Sequence, residues 1–147
     1  MTLTVDGCLL NEFFCIEIVD FWLSNAVGIS SPDVIPDDHM TASSHFNISY
    51  QPAYGRLHGV RGGAWCAKTP NSKDDWLQVD LAETFQVSAV ATQGNRASEE
   101  RVTIFKLSYS IDGINWKLYQ DGNGADMVRW LPSKCRVKMT GRWSSFL

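Results

Sequence analysis

The stretch WLQVDL at residues 76–81 decides the fold. Leu77, Val79 and Leu81 share one parity, while Gln78 and Asp80 take the other. Successive side chains of a strand point to opposite faces of a sheet, so this alternation predicts a strand with one buried face.

The segments that follow continue the strand pattern. Residues 85–92 and 102–110 are rich in β-branched and aromatic residues, and 116–119 would be a return strand. Asp112-Gly113 lies between the last two segments, and an Asp-Gly pair between strands is a strong hairpin signal because its turn needs positive φ. Strands joined by short turns, without a convincing helix between them, predict an all-β sandwich or barrel.

Length and charge restrict the class of protein. A chain of 147 residues is expected to form one domain around one core. The net charge is -3, no Lys or Arg precedes Arg56, and the basic residues concentrate beyond Asp126. A nucleic-acid-binding domain typically carries a basic stripe across its folded body, so nucleic acid is not an expected partner.

The N-terminal segment has a different apolar pattern from the strands. Leu10, Phe14, Ile18 and Phe21 recur at helical spacing, which predicts a short amphipathic helix within residues 1–24. An appendage on the body, a damaged signal and a partner-binding helix are the alternatives for it. No secretory signal or membrane-spanning run is visible, and the spacing of the four cysteines matches no zinc motif.

Seven further blocks, together with WLQVDL, identify a family. They are NAVGI at 25–29, VIPD at 34–37, MTASS at 40–44, GRL at 55–57, GAWCAK at 63–68, VATQG at 90–94 and KLSYSIDG at 106–113. In this order they resemble the discoidin, or F5/8 type C, domains of coagulation cofactors, adhesion proteins and discoidin receptors. The resemblance covers residues 25–126 and implies a discoidin-like jelly-roll β-sandwich, a distorted barrel, at the cell surface or outside the cell.

The chain also departs from that pattern. Leu23 stands where the family has a cysteine, and the partner cysteine near the family's C-terminus has no counterpart here. Residues 1–24 are therefore expected to be a non-family N-terminal segment and 127–147 a divergent basic tail. We expect the last strands of the sandwich to be missing, as in a truncated or incomplete isoform, which would leave sheet edges unpaired.

Five residues are assigned structural roles. Trp65, Trp76 and Trp116 are large apolar side chains suited to the space between two sheets. Asp80 alternates into an apolar strand, and a buried charge needs a partner, so we expect it to pair with Arg56.

Ligand contact in the family is made by loops at one end of the barrel, and residues 45–54 correspond to the first of them. Phe46, Ile48 and Tyr50 are the candidates to enter a lipid interface or to cover a sugar ring. The alternative is that all three pack in the core. Asn47 begins an Asn-Ile-Ser glycosylation sequon, and a glycan there would compete with membrane insertion.

A neighbouring loop would offer Arg96 and Arg101 to anionic headgroups or sulfated glycans. Glu99 and Glu100 lie between them, so a solvated loop with local ion pairs is the alternative.

No catalytic, metal or cofactor site is expected, because the three histidines lack metal-ligand spacing and no nucleophile elbow or phosphate loop is present. The resemblance implies a non-catalytic binding module of adhesion or matrix type, whose partner is a membrane phospholipid or a cell-surface glycan. An extracellular protein such as a receptor or collagen-like partner, or an incomplete product without binding activity, are the alternatives.

Overall fold

The computed structural model describes residues 1–6, 15–20, 28–58, 64–69, 74–85, 87–94, 102, 104–120, 124, 126–129 and 135–138. Nine strands within these ranges form two antiparallel sheets. The six-stranded sheet contains β1 Thr2–Asp6, β3 Met40–Ala42, β4 Trp76–Asp80, β6 Ile104–Ser110, β7 Lys117–Leu118 and β8 Met127–Arg129. The three-stranded sheet contains β2 Cys15–Asp20, β5 Val87–Gln93 and β9 Cys135–Lys138.

Strand order is β3-β4-β1-β6-β7 in the larger sheet, with β8 also paired to β6, and β2-β5-β9 in the smaller one. The prediction of an all-β sandwich is therefore confirmed. The described strands form two open sheets and do not close into a barrel.

The core follows the alternation of the strands. Leu77 and Val79 on β4, and Phe105 and Leu107 on β6, are buried, each pair at positions two residues apart. Residues from both sheets and from the loops join one apolar cluster with them. Each Å² of apolar surface that is buried stabilises the folded state by about 25 cal/mol, so this cluster makes the main favourable contribution to folding.

A bulge in β5 explains a break in its pattern. Val87 and Val90 have opposite parity, yet both are buried. The register of β2 on β5 shifts between Val19, which pairs with Ala89, and Asp20, which pairs with Val87. The extra residue on β5 reverses the alternation at that point, so both valines face the core.

Within the described residues, the segment predicted to be an N-terminal helix forms strands, so the helix prediction is wrong there; Leu10, Phe14 and Phe21 lie outside the described residues. β1 lies in the middle of the larger sheet, with β4 on one side and β6 on the other. Ile18, one residue of the supposed helical stripe, lies on β2 and pairs with Val90. A strand between two others has its backbone donors and acceptors satisfied on both sides, which outweighs a short apolar periodicity.

The chain beyond Gly124 also pairs with the sheets, although its sequence shows no strand period. β8 pairs with the start of β6, and β9 pairs with β5 opposite β2. Both strands are short, so their alternation is too brief to detect in the sequence.

The Asp112-Gly113 pair lies in a connection longer than a two-residue turn. β6 ends at Ser110 and β7 begins at Lys117, so residues 111–116, here called the β6–β7 tip, join them. Gly113 has φ of 72°, the positive value that the hairpin signal predicted. The Asp112 carboxylate accepts from the amides of Ile114 and Asn115, which organises a wider turn.

Replacing Gly28 by Ala should lower the free energy of unfolding by about 2–3 kcal/mol, since positive φ costs an L-residue roughly 1–2 kcal/mol and packing strain adds to it. Gly28 has φ of 101°, and a new Cβ would lie 2.8 Å from Val34 Cγ1. Gly113→Ala is the matched control, because its φ is also positive but nothing lies within 4 Å of the added Cβ. Denaturant titration measures both, and equal losses would contradict the steric contribution at Gly28.

Candidate functional site

Residues 45–54, the 45–54 loop, follow β3 and contain a 3-10 turn at Ile48–Tyr50 and the start of a second at Pro52–Gly55. The Oδ1 of Asn47 accepts from the Ser49 amide at 2.8 Å, and the Asn47 carbonyl accepts from the Tyr50 amide at 3.0 Å. Pro52 begins the second turn, where its missing N–H costs nothing. These bonds make the segment a loop, as the sequence predicted.

A buried carboxylate holds the start of the loop. The hydroxyls of Ser43 and Ser44 each donate to Asp75 Oδ1 at 2.7 Å, directly before β4. The Ser44 hydroxyl oxygen in turn accepts from the Lys68 amide at 3.0 Å. A carboxylate withdrawn from water needs such donors, so Asp75 joins three separate segments of the chain.

Sequence reasoning missed Asp75. The sequence feature that could have indicated its role is an acid directly before the strand pattern at 76–81, together with two consecutive serines, Ser43 and Ser44, at the end of the MTASS block.

Residues 64–66 support the loop from beneath. The Trp65 indole is buried and donates to the Ser44 carbonyl at 2.9 Å, and the Phe46 amide donates to the Cys66 carbonyl at 2.8 Å. Tyr50 packs with Leu57 and Cys66 against the buried Ala64. Backbone and side-chain bonds therefore fix the loop before any ligand arrives.

The three predicted loop residues have different environments. Phe46 is 56% exposed and Ile48 is 74% exposed, whereas Tyr50 is half-buried. The Phe46 and Tyr50 rings meet edge to face with their centroids 5.9 Å apart. The loop thus presents two apolar side chains to solvent, and Tyr50 supports one of them.

Polar groups border this surface. His45 and Lys68 are exposed at the base of the loop. Arg96 and Arg101 lie outside the described residues, so their contribution stays a prediction. The start of β6 lies at this same end of the sheet, because Lys106 and Trp76 both pair with Asp6.

Arg56 does not pair with Asp80, and that prediction is wrong. The guanidinium is buried and donates to Asp37 Oδ1 at 2.7 Å and to the Ile29 carbonyl. Asp80 Oδ1 instead accepts from the Ala82 amide at 2.9 Å. Asp80 takes the half-buried face of β4, so it needs no buried cation.

The tryptophans divide between core and surface. Trp65 is buried in the core cluster and Trp76 is half-buried. Trp116 is 38% exposed, so the expectation that it fills the space between the sheets is wrong. It precedes β7, which is an edge strand of the larger sheet among the strands that the structure describes.

The β6–β7 tip lies at the opposite end of the sheet from the 45–54 loop. Ser110 pairs with Thr2, which pairs with Asp80, whereas Ala42 pairs with Leu77 near the start of β4. Ile114 at this tip is 80% exposed. It provides an exposed apolar side chain that is distant from the candidate site.

The tip is held by Asp112. The backbone amide and then the side-chain amide of Asn115, with the Ile114 amide and the Ser110 hydroxyl, hold the pKa of the Asp112 carboxyl well below its usual range. The carboxylate therefore stays ionised and organises the tip under ordinary conditions.

Among the described residues, no three His, Cys, Asp or Glu side chains lie close enough together to hold a metal ion. The same part of the chain contains no helix with the length and apolar character required to span a bilayer.

Comparison with known proteins identifies relatives. The family model described as F5/8 type C domain matches residues 39–143. Neuropilin-1a of Danio rerio is 34% identical over 125 residues, or 82% of this chain, and Neuropilin-1 of Xenopus laevis is 33% identical over 117 residues, or 76%. Lactadherin of Sus scrofa is 36% identical over 98 residues, or 60% of the chain. The matches span 12% of each neuropilin and 24% of lactadherin.

Replacing Arg56 by Ala should lower the free energy of unfolding by about 2–4 kcal/mol, because a buried carbonyl loses its donor and a charge pair is broken. Asp37→Asn should cost less, since the Asn side-chain oxygen can still accept from the Arg56 guanidinium and the bond to the Ile29 carbonyl is kept. Thermal and denaturant unfolding measure both. Asp80→Asn is the control, and a loss there as large as that of Arg56→Ala would contradict the assignment of Asp37 as the partner.

Proposed function

The chain belongs to the F5/8 type C, or discoidin, domain family of non-enzymatic binding modules, and we propose that it binds phospholipid bilayers through the 45–54 loop. One observation carries the proposal. Phe46 and Ile48 are both exposed and lie two positions apart on one loop. The loop backbone is hydrogen-bonded within itself and to Cys66, and Ser44, directly before the loop, is bonded to Trp65 and Asp75.

Rigidity distinguishes these side chains from the scattered apolar residues that every protein surface carries. A loop that is already ordered loses little conformational entropy on binding, so more of the insertion energy appears as affinity. Full burial of an apolar side chain contributes roughly 1.5–3 kcal/mol, and we expect about 1–2 kcal/mol from each of these partly exposed ones.

Charge supplies the second contribution. Lys68 borders the loop, and Arg96 and Arg101 are the candidates for contact with anionic headgroups. A basic residue near an anionic membrane contributes about 1 kcal/mol. The whole chain carries a net charge of -3, so this attraction is local to one end and insertion of apolar groups remains necessary.

A bilayer suits the loop better than a glycan does. Sugar rings stack on open aromatic faces, but Tyr50 is half-buried and meets Phe46 edge to face. The most exposed apolar side chain of the loop is Ile48, which has no ring. An extracellular protein partner at the same loop is the alternative that vesicle binding tests.

Ile48→Ala and Phe46→Ala should each weaken binding to phosphatidylserine-containing vesicles by about 5–30-fold, the equivalent of about 1–2 kcal/mol. Vesicle co-sedimentation with the full chain measures the affinity. Ile48 projects from the surface, so Ile48→Ala should leave the free energy of unfolding nearly unchanged. Phe46→Ala also removes the ring contact with Tyr50 and should lower it by about 0.5–1.5 kcal/mol.

Ile114→Ala is the matched control, because Ile114 is as exposed as Ile48 but lies at the other end of the sheet. The Ile114→Ala variant should bind vesicles with the same affinity as the unchanged chain. Equal weakening at Ile114 and Ile48 would show non-specific adsorption. Failure of the folded, unchanged chain to bind any vesicle would overturn the proposal and favour a protein partner.

A further inference from the structure

The 45–54 loop contains the chain's one Asn-x-Ser/Thr sequon, Asn47-Ile48-Ser49. Asn47 is exposed and caps the 3-10 turn, with its Oδ1 accepting from the Ser49 amide. We propose that Asn47 is an N-glycan acceptor and that a glycan there blocks the apolar contact of the loop. The second half of this proposal rests on the proposed function.

The Asn47 side chain has the geometry for the modification. The bond from the Ser49 amide turns Oδ1 toward the protein backbone, as in an Asx turn, and this orients the Nδ2 group of the same planar amide away from it. Ser49 supplies the hydroxyl that the sequon requires, and Ile48 between them is not Pro.

The transfer balances without oxidation or reduction. A bond forms between Asn47 Nδ2 and the anomeric carbon of an oligosaccharide, while the bond from that carbon to the diphosphate of a polyprenyl-linked donor breaks. Nδ2 loses one proton, and the polyprenyl diphosphate leaves with the electron pair of the broken bond. The product is a bulky, hydrated group on an exposed loop.

Position makes the glycan and the bilayer competitors. Asn47 lies between Phe46 and Ile48, the two exposed apolar residues of the loop. Inserting them would carry the first sugar units toward the acyl region, where their hydroxyl groups would lose water without compensating partners. Occupancy of Asn47 therefore selects between a polar and an apolar surface at this end of the sandwich.

The first test asks whether the site is used. The full chain, preceded by a cleavable secretion leader, is produced in glycosylating eukaryotic cells as the unchanged sequence, as Ser49→Thr and as Ser49→Ala. Ser49→Ala removes the sequon but keeps the backbone amide that donates to Asn47, so the turn is preserved.

Intact mass before and after treatment with an N-glycan amidase is the readout. We expect a removable glycan on the unchanged chain and on Ser49→Thr, and none on Ser49→Ala. A secreted, unchanged chain with the mass of the bare polypeptide would overturn the acceptor assignment.

The second test asks what the glycan does. Glycosylated chain and Ser49→Ala from the same cells are compared for binding to phosphatidylserine-containing vesicles, and Ser49→Ala should bind about tenfold more tightly or better. Equal affinities would overturn the blocking effect. If Ser49→Ala binds no vesicle, the proposed function fails and the blocking effect with it, whereas the mass readout still decides the acceptor assignment.

Discussion

The presentation of the 45–54 loop depends on the buried carboxylate of Asp75. It takes two hydroxyl donors, Ser43 and Ser44, at 2.7 Å each, and Ser44 also receives the Lys68 amide. Burying a carboxylate without such donors would lower the stability of the fold by several kcal/mol. The two serines therefore stay beside Asp75 in the folded protein. Because the anchor lies where β3 ends and β4 begins, the rigidity of the sheet extends into the loop, and apolar side chains stay exposed instead of collapsing onto the surface.

A second buried charge organises the segments behind the sheet. Arg56 joins Asp37 and the carbonyl of Ile29, and these three residues belong to the GRL, VIPD and NAVGI blocks. Blocks that are far apart in the chain therefore meet at one guanidinium. Three of the blocks that carry the family resemblance therefore have a role in folding. Ligand contact is assigned to the side chains of the 45–54 loop instead.

At each end of the larger sheet, a carboxylate that accepts several hydrogen bonds holds the connecting segment in place. At one end a buried acid, Asp75, holds the 45–54 loop, and at the other an exposed acid, Asp112, closes the β6–β7 tip on itself. Both ends expose isoleucine, Ile48 at the first and Ile111 and Ile114 at the second. The β6–β7 tip also exposes the aromatic Trp116 and is followed by the exposed Lys117. The glycosylation sequon at Asn47 therefore distinguishes the first end, and it makes that end the candidate for regulated membrane contact.

The sequence alone determined the strands β4, β5 and β6, the positive φ at Gly113, the family and the loop that carries the candidate site, because alternation, turn chemistry and ordered motifs are local properties of the chain. The tertiary structure decided the rest. The segment Thr2–Asp6 forms a strand since two neighbouring strands satisfy its backbone. Arg56 pairs with Asp37 since the fold brings together residues 19 positions apart, and Phe46 and Ile48 are exposed while Tyr50 is partly covered. Each of these outcomes depends on which distant segment becomes a neighbour, and the periodicity of a single segment contains no information about that choice.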